Sequence, residues 1–239
     1  MVTGINSFNE HFRGYESNYV IIGGTACDLL FGEVGEEFRV TRDIDIVLIV
    51  EELNAEFGSV IWEYVKTAGY IQRFRSTGTP EYYRFVKPKS SDYPAMIELF
   101  SRRVEGIKLP PDATLTPLPI NDDISSLSAI LLDVNYYNFL RGGATISDGI
   151  SILSATHLIP LKAKAWLDLT ERKAKGEHVD SKNIRKHKND IIKLSELLSQ
   201  DNKVILPEAI ARDIMLFHAR VDNQEKFIRT IAAYDLSRT

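Results

Sequence analysis

Two aspartates, Asp43 and Asp45, stand at the start of an apolar, β-branched stretch that runs to Val50. Such a stretch is typical of a strand buried on both faces, and side chains two residues apart on a strand point the same way. Neighbouring carboxylates repel each other unless a cation compensates. Magnesium prefers hard oxygen ligands beside substrate phosphates, so the pair suggests a magnesium site. The alternative is a pair of solvated or capping surface aspartates, which an Asp-x-Asp motif alone does not exclude.

A Gly-Gly pair lies upstream of this stretch. Gly23 and Gly24 follow a predicted strand, residues 18–22, and precede a predicted short helix from Thr25 to Phe31 that Gly32 should end. Glycine allows the backbone to approach a ligand closely. The N-terminus of a helix offers unpaired N–H groups and a partial positive charge to a phosphate. A Gly-Gly turn before an Asp-x-Asp strand is more specific than either motif alone.

A third carboxylate, Glu98, lies downstream within the apolar segment Ala95 to Ser101, which predicts another strand. A buried glutamate is rarely tolerated without a partner. Glu98 is therefore either paired with Arg84 on the neighbouring predicted strand, Tyr82 to Val86, or a third metal ligand, which we favour. Three carboxylates can hold two metal ions that clamp the attacking and leaving oxygens of an in-line displacement.

The order of these motifs resembles that of the polymerase β nucleotidyltransferase superfamily. The matching segments are Gly23 to Ala26, Arg42 to Asp45 and the strand with Glu98, although this superfamily usually has Asp at the last position. Residues 158–169 and 181–191 extend the similarity to the AbiEii/AbiGii-type nucleotidyltransferases, the toxin halves of bacterial type IV toxin–antitoxin systems. The insertion 171–179 separates these two segments more than is common, and the resemblance covers about residues 18–200.

The resemblance implies a reaction, a cofactor and partners. A nucleoside monophosphate would pass from a nucleoside triphosphate to an acceptor hydroxyl, with one or two Mg²⁺ ions, for which Mn²⁺ can substitute. The toxin-like branch implies an RNA acceptor, such as the 3′ end of a tRNA, and a cognate antitoxin protein. Two rival hypotheses are a small-molecule nucleotidyltransferase of the aminoglycoside-modifying kind and a non-catalytic binding domain.

A lysine and an aspartate in the later helices extend the predicted site. Helical spacing places Lys162 on the apolar stripe of Leu158 and Trp166, whereas Lys164 points nearly the opposite way and should be solvated. Lys162 either packs its stem in the core or faces a cleft, where the resemblance implies that its ammonium binds the triphosphate. Asp190 can pair with Lys162, across the cleft or as a salt bridge between packed helices.

The predicted site therefore has three overlapping sets. The catalytic residues are Asp43, Asp45, Glu98, Lys162 and Asp190; the nucleotide-binding residues are Gly23, Gly24, Thr25, Arg42 and Lys162; the metal ligands are Asp43, Asp45 and Glu98.

The elements that position these residues predict an α/β (α+β) fold, a mixed sheet with flanking helices, followed by a helical domain. Further predicted helices are Leu53 to Ala68, ended by Gly69, and Ser125 to Leu140, with one or two short strands over Ile146 to Leu153. From Ala155 onward the signals are almost all helical, over residues 155–172, 182–198, 207–219 and 222–233. We place a boundary near residue 154, between a nucleotidyltransferase domain, 1–154, and a helical domain, 155–239.

Composition limits the function classes. The chain has 239 residues, 44% hydrophobic content and a net charge of −4, which argues against a general nucleic-acid binder. Residues 162–193, however, carry ten Lys or Arg against five Asp or Glu, either a solvated helix face or a phosphate-binding surface. No apolar run approaches the roughly 20 residues that span a bilayer, so no membrane partner is expected. The single cysteine, Cys27, fits a reducing cytoplasm.

Overall fold

The computed structural model describes residues 2–52, 54–74, 80–100, 130, 133–199 and 203–236, without the side chains at 50, 72–74 and 80–83. The chain forms two compact units. The first comprises residues 1–121 and 144–153, and the second comprises 122–143 and 154–239. The chain thus passes into the second unit after Leu153, next to the boundary predicted near residue 154. Residues 122–143, which the sequence had placed in the first domain, group with the second unit.

The first unit contains a seven-stranded mixed sheet with the strand order β3-β4-β5-β2-β1-β7-β6. Its strands are β1 (Tyr19–Ile22), β2 (Asp43–Leu48), β3 (Ile71–Phe74), β4 (Pro80–Val86), β5 (Met96–Phe100), β6 (Ala144–Ser147) and β7 (Ile150–Leu153). The pairs β2–β5 and β1–β7 are parallel, and the others are antiparallel. The mixed sheet with helices confirms the predicted α/β class. The two neighbouring strands predicted over 82–86 and 95–101 are present as the antiparallel pair β4–β5, whereas β3 had no counterpart in the prediction.

The described residues of this unit form three helices, α1 (Ile5–His11), α2 (Gly23–Glu33) and α3 (Ala55–Ala68). The side chain of Asn54 caps α3 by accepting from the Phe57 N–H at 2.8 Å, and Gly69 ends it with φ 65°, as predicted. Gly32 does not end α2. Gly35 does, because its φ of 73° lets the Glu36 N–H reach the Phe31 carbonyl at 2.9 Å, the closure of a Schellman motif.

The two faces of β2 have different surroundings. Ile46 and Leu48 line a small apolar cavity together with Phe8 of α1 and Tyr64 of α3. The helices α1 and α3 therefore cover the face that carries the even-numbered residues of β2. Alternation along the strand places Asp43 and Asp45 on the opposite face.

The second unit is built mainly from helices. They are α4 (Val134–Gly142), α5 (Ala155–Ala174), α6 (Ser181–Leu194), α7 (Glu208–Arg220) and α8 (Ile228–Ala232), with a short parallel ladder between β8 (Val204–Ile205) and β9 (Tyr234–Asp235). The side chain of Asp180 caps α6, since the Lys182 N–H donates to its carboxylate at 2.8 Å. The predicted helix 182–198 turns into a 3₁₀ segment at Ser195. In the described part of the chain, no helix combines the length and apolar character needed to cross a membrane.

Candidate active site

Asp43 and Asp45 form the start of β2 and are both partly buried, while Ile44 and Ile46 between and after them are buried. The parallel pairing with β5 sets Asp45 directly beside Glu98. Three carboxylates therefore belong to one face of the sheet, which we call the carboxylate face (Asp43, Asp45 and Glu98). For Asp43 and Asp45, this is the shared orientation that strand alternation predicted.

Glu98 has a second neighbour, on its other side. The antiparallel pairing of β4 with β5 aligns Arg84 with Glu98, and the two side chains form an ion pair. Of the two alternatives for Glu98, the structure thus contains the ion pair. Among the residues that the structure describes, no three or more His, Cys, Asp or Glu side chains gather as a metal-binding group, and the three-carboxylate metal site stays a prediction.

The N-terminus of α2 lies against this face. Ile22, the last residue of β1, pairs with Asp45, and the next residue, Gly23, has φ 71°. A β-carbon on Gly23 would overlap the Asp45 carboxylate, and one on Gly24 would lie 2.9 Å from the Thr41 hydroxyl. Only glycine permits an approach this close. The Gly-Gly pair therefore brings the first turn of a helix into contact with the start of β2.

The side chain of Thr25 joins the start of α2 to the start of β2. It is fully buried, and its hydroxyl donates to the Asp43 carbonyl at 2.6 Å. This bond fastens the first turn of α2 to the first residue of β2. The hydroxyl is therefore committed to positioning Asp43.

Alternation assigns the side chain of Arg42, the residue before β2, to the face opposite that of Asp43, and its predicted contact with nucleotide stays a prediction. The Ala95 N–H donates to the Arg42 carbonyl at 3.0 Å, which extends the β2–β5 pairing by one residue. Because side chains alternate along this ladder, Arg42 points away from the face of Asp43, and it is exposed. Arg39 lies at the Gly-Gly turn instead: a β-carbon on Gly24 would be 3.1 Å from its Nη2.

In the second unit, Lys162 and Asp190 form a buried ion pair between α5 and α6. The Lys162 Nζ lies 2.8 Å from the Asp190 Oδ2, and the two side chains are 6% and 3% exposed. This is the salt bridge between packed helices that the sequence left as one alternative.

The prediction that Lys164 is simply solvated is wrong. Its Nζ lies 2.9 Å from the Asp213 carboxylate of α7, which also accepts the Tyr136 hydroxyl at 2.9 Å. The side of α5 that carries Lys164 therefore has its own polar network, because α7 packs there.

The described structure thus defines a mixed α/β protein with paired aspartates beneath a helix N-terminus. Comparisons with protein-family models, with curated proteins and with solved structures found no match to this chain. The chemistry of the carboxylate face is therefore the basis for assigning a function.

Proposed function

We propose that the protein is a magnesium-dependent nucleotidyltransferase of the polymerase β type, which moves a nucleoside monophosphate from a nucleoside triphosphate to an acceptor hydroxyl and releases pyrophosphate. One observation carries the proposal: the Asp45 carboxylate and the backbone of Gly23, at the N-terminus of α2, are in contact. Carboxylates favour a cation and a helix N-terminus favours an anion. A polyphosphate bound with its cation is the ligand that satisfies both.

Asp43 and Asp45 fit a magnesium ion by their chemistry. Both offer hard carboxylate oxygens from one face of β2, and both are only partly buried, so a ligand can reach them. Magnesium bound there would neutralise charge on phosphate oxygens. We propose that Glu98 is the third carboxylate ligand. Mn²⁺ would replace Mg²⁺ at this site, and the three carboxylates could hold a second metal ion.

The chain's own groups would position the substrate. The N–H groups of Gly23, Gly24 and Thr25 lie in the first turn of α2, where helix geometry leaves them without intrahelical partners. They can hold phosphate oxygens, since Thr25 fixes this turn to Asp43. Glu98, oriented by Arg84, is proposed to take the proton of the acceptor hydroxyl. Fixed dipoles and charges of this kind lower the barrier mainly by preorganisation.

The contact between Lys162 and Asp190 supports a role in holding α5 to α6. An ammonium that is 6% exposed and bound to a carboxylate at 2.8 Å already has its counter-charge. A part for either residue in binding the triphosphate or in catalysis stays a prediction of the family resemblance, and the Lys162 variants described in the Discussion test it.

We propose RNA as the acceptor on the strength of one helix surface. Lys182, Arg185 and Lys186 are exposed at the spacing of one face of α6. Neither Lys182 nor Arg185 has an ion-pair partner among the described residues. Unneutralised basic side chains of this kind attract the phosphate backbone of a nucleic acid, whereas a small-molecule acceptor needs no such surface. Toxin activity and an antitoxin partner stay predictions of the resemblance alone.

The test of the function is label transfer. Purified protein is incubated with Mg²⁺, total cellular RNA and each α-labelled nucleoside triphosphate in turn, and RNA-bound label and pyrophosphate are measured. We expect transfer by the wild type, a loss of at least about a hundredfold in Asp43→Asn and Asp45→Asn, and full transfer in Asp92→Asn. Asp92 is the matched control because it is an exposed aspartate of the β4–β5 turn.

Three results would count against the proposal in different ways. Wild-type protein that releases no pyrophosphate with any triphosphate contradicts the reaction. Pyrophosphate release without RNA labelling, restored by a small hydroxyl acceptor, contradicts only the RNA acceptor. Full transfer in Asp45→Asn, with an unchanged melting temperature, contradicts the assignment of the metal ligands.

A further inference from the structure

We propose that Arg39 is the guanidinium that binds the triphosphate at the Gly23–Gly24 turn, with Thr41 beside it, and that Arg42 has no part in binding. This inference rests on the nucleotidyltransferase function proposed above and names further positioning residues for its substrate. It follows from the packing around Gly24, from the alternation of side chains that leads into β2, and from the way Arg39 is anchored.

Gly24 is the first link, because two polar side chains lie where its β-carbon would be. That atom would stand 2.9 Å from the Thr41 Oγ1 and 3.1 Å from the Arg39 Nη2. The ends of both side chains therefore touch the first turn of α2, an eleven-residue helix. An arginine nitrogen at this position adds a full positive charge to the partial charge of the helix end.

The alternation of side chains is the second link. Thr41, Asp43 and Asp45 are two residues apart along the segment that leads into and begins β2, so they share one side of it. Gly23 contacts Asp45, and Gly24 contacts Thr41 and Arg39. The first turn of α2 therefore runs along one row of side chains, with two carboxylates at one end and a guanidinium at the other.

This order of charges matches a nucleoside triphosphate with its cation. The carboxylates suit the metal, and the remaining negative charge of the polyphosphate, which one divalent ion does not neutralise, suits the arginine. Arg binds phosphate through two parallel N–H donors, a geometry that Lys cannot reproduce. A ligand with a single phosphate would not need both ends of the row.

Arg39 is also held in place before any ligand binds. Its guanidinium carbon lies 5.3 Å from the ring centroid of Phe38. The Phe38 ring stacks on Phe31 at 5.4 Å between centroids, and Phe31 is a fully buried residue of α2. Arg39 has further interactions within the protein, so the inference concerns its position rather than an unpaired charge. The helix whose N-terminus meets the phosphates thus also anchors the arginine.

The experiment measures equilibrium binding of nucleoside triphosphates and monophosphates, each with Mg²⁺, by isothermal titration calorimetry. The variants are Arg39→Gln and Arg39→Lys. Arg42→Gln is the matched control, because Arg42 is a nearby arginine that alternation assigns to the opposite face. We expect Arg39→Gln to weaken triphosphate binding at least about tenfold, the scale of one charge-assisted contact, with monophosphate binding within about twofold. Arg39→Lys should recover only part of the loss, and Arg42→Gln should bind as the wild type does.

The outcomes separate this inference from the proposed function. If the wild type binds and transfers nucleotide but Arg39→Gln matches Arg42→Gln, the inference alone is overturned. If the wild type binds no triphosphate, both fall. If Arg39→Gln does not fold, Arg39→Lys and Phe38→Leu, which keep a positive charge at residue 39, test the same contact. In that case an unchanged affinity in both of them overturns the inference.

Discussion

The carboxylate of Asp45 is in contact with the backbone of Gly23, so closely that a β-carbon on residue 23 would overlap it. Gly23 also has φ 71°, a conformation that residues with a β-carbon rarely adopt. Two independent constraints therefore require glycine at this position, and both act at the point where α2 meets the carboxylate face.

The first prediction concerns Gly23→Ala. The added methyl must displace either Asp45 or the first turn of α2, so we expect nucleotidyl transfer to fall at least about a hundredfold. The strained conformation and the overlap should together lower the free energy of unfolding by more than the roughly 1–3 kcal/mol of backbone strain alone. Urea unfolding and the label-transfer assay measure the two effects.

Gly35→Ala is the matched control for this variant. Gly35 has a nearly identical φ, 73°, but open space where its β-carbon would lie. It should show backbone strain without loss of transfer. Equal activity in the two variants would mean that contact with Asp45 has no catalytic consequence.

The second prediction separates two roles for Glu98. If Glu98 acts on the substrate or metal, Glu98→Gln should lose transfer by about a hundredfold or more, whereas Arg84→Gln should retain most of it. Both side chains are partly exposed, at 17% and 31%, so breaking the pair should cost only about 0–1 kcal/mol of stability. Full transfer in Glu98→Gln would show that Glu98 serves only as the partner of Arg84.

The third prediction concerns the ion pair of Lys162 with Asp190. Lys162→Met leaves the Asp190 carboxylate buried without its cation, so we expect a loss of about 3–5 kcal/mol in unfolding free energy. The double variant Lys162→Met/Asp190→Leu should recover most of it. Lys164→Met, whose partner pair is more exposed, should cost about 1 kcal/mol or less.

The double variant also decides between structure and catalysis. If it folds and transfers nucleotide at the wild-type rate, the predicted catalytic role of both residues is wrong. If it folds as stably as the wild type but is inactive, at least one of the two residues acts in catalysis as the family resemblance implies.

The fourth prediction is a pH dependence of stability that comes from His157. Burial lowers its pKa to about 4, and its Nδ1 lies 2.8 Å from the Ser154 hydroxyl. Its ring also packs 4.3 Å from that of Phe139.

The folded-state pKa of His157 lies below the unfolded-state value of about 6.5. The free energy of unfolding is therefore fully retained above pH 6.5 and decreases as the pH falls toward 4, because the folded state then binds the proton less readily than the unfolded state. The wild type should therefore lose on the order of 2 kcal/mol more than His157→Gln between pH 7 and pH 4.5. Parallel urea titrations at the two pH values measure this difference, and equal losses would assign the pH dependence to other groups.

The parts of the fold that follow local rules could be predicted from the sequence. Alternation placed Asp43 and Asp45 on one face, and the end of α3 at Gly69 followed from the left-handed conformation that glycine adopts readily. The end of α2 was missed because two glycines, Gly32 and Gly35, compete for that role. Only the hydrogen bonds of the finished turn show that Gly35 closes it.

The parts that depend on pairing between distant strands could not be predicted. Which of the two alternatives Glu98 adopts depends on the registers of β4 and β2 with β5, and no local pattern encodes a register. Arg39 was missed for a different reason. Residue 39 lies outside the predicted strand, and the packing of Gly24 against Arg39 is a tertiary contact that no local pattern encodes. Arg42 entered the predicted set as part of the Arg42 to Asp45 segment that matches the family.

The discontinuous course of the chain limits how the protein can be divided by genetic truncation. The hairpin of β6 and β7 interrupts the second unit between residues 143 and 154. A fragment that ends at residue 153 would carry α4 away from Asp213, whose carboxylate accepts the Tyr136 hydroxyl, while the remainder would lack α4. The Ser154 N–H, however, already donates to the Gly143 carbonyl at 3.0 Å. The helical unit is therefore best obtained by excising the hairpin and joining these two residues through a short glycine linker, not by a single cut.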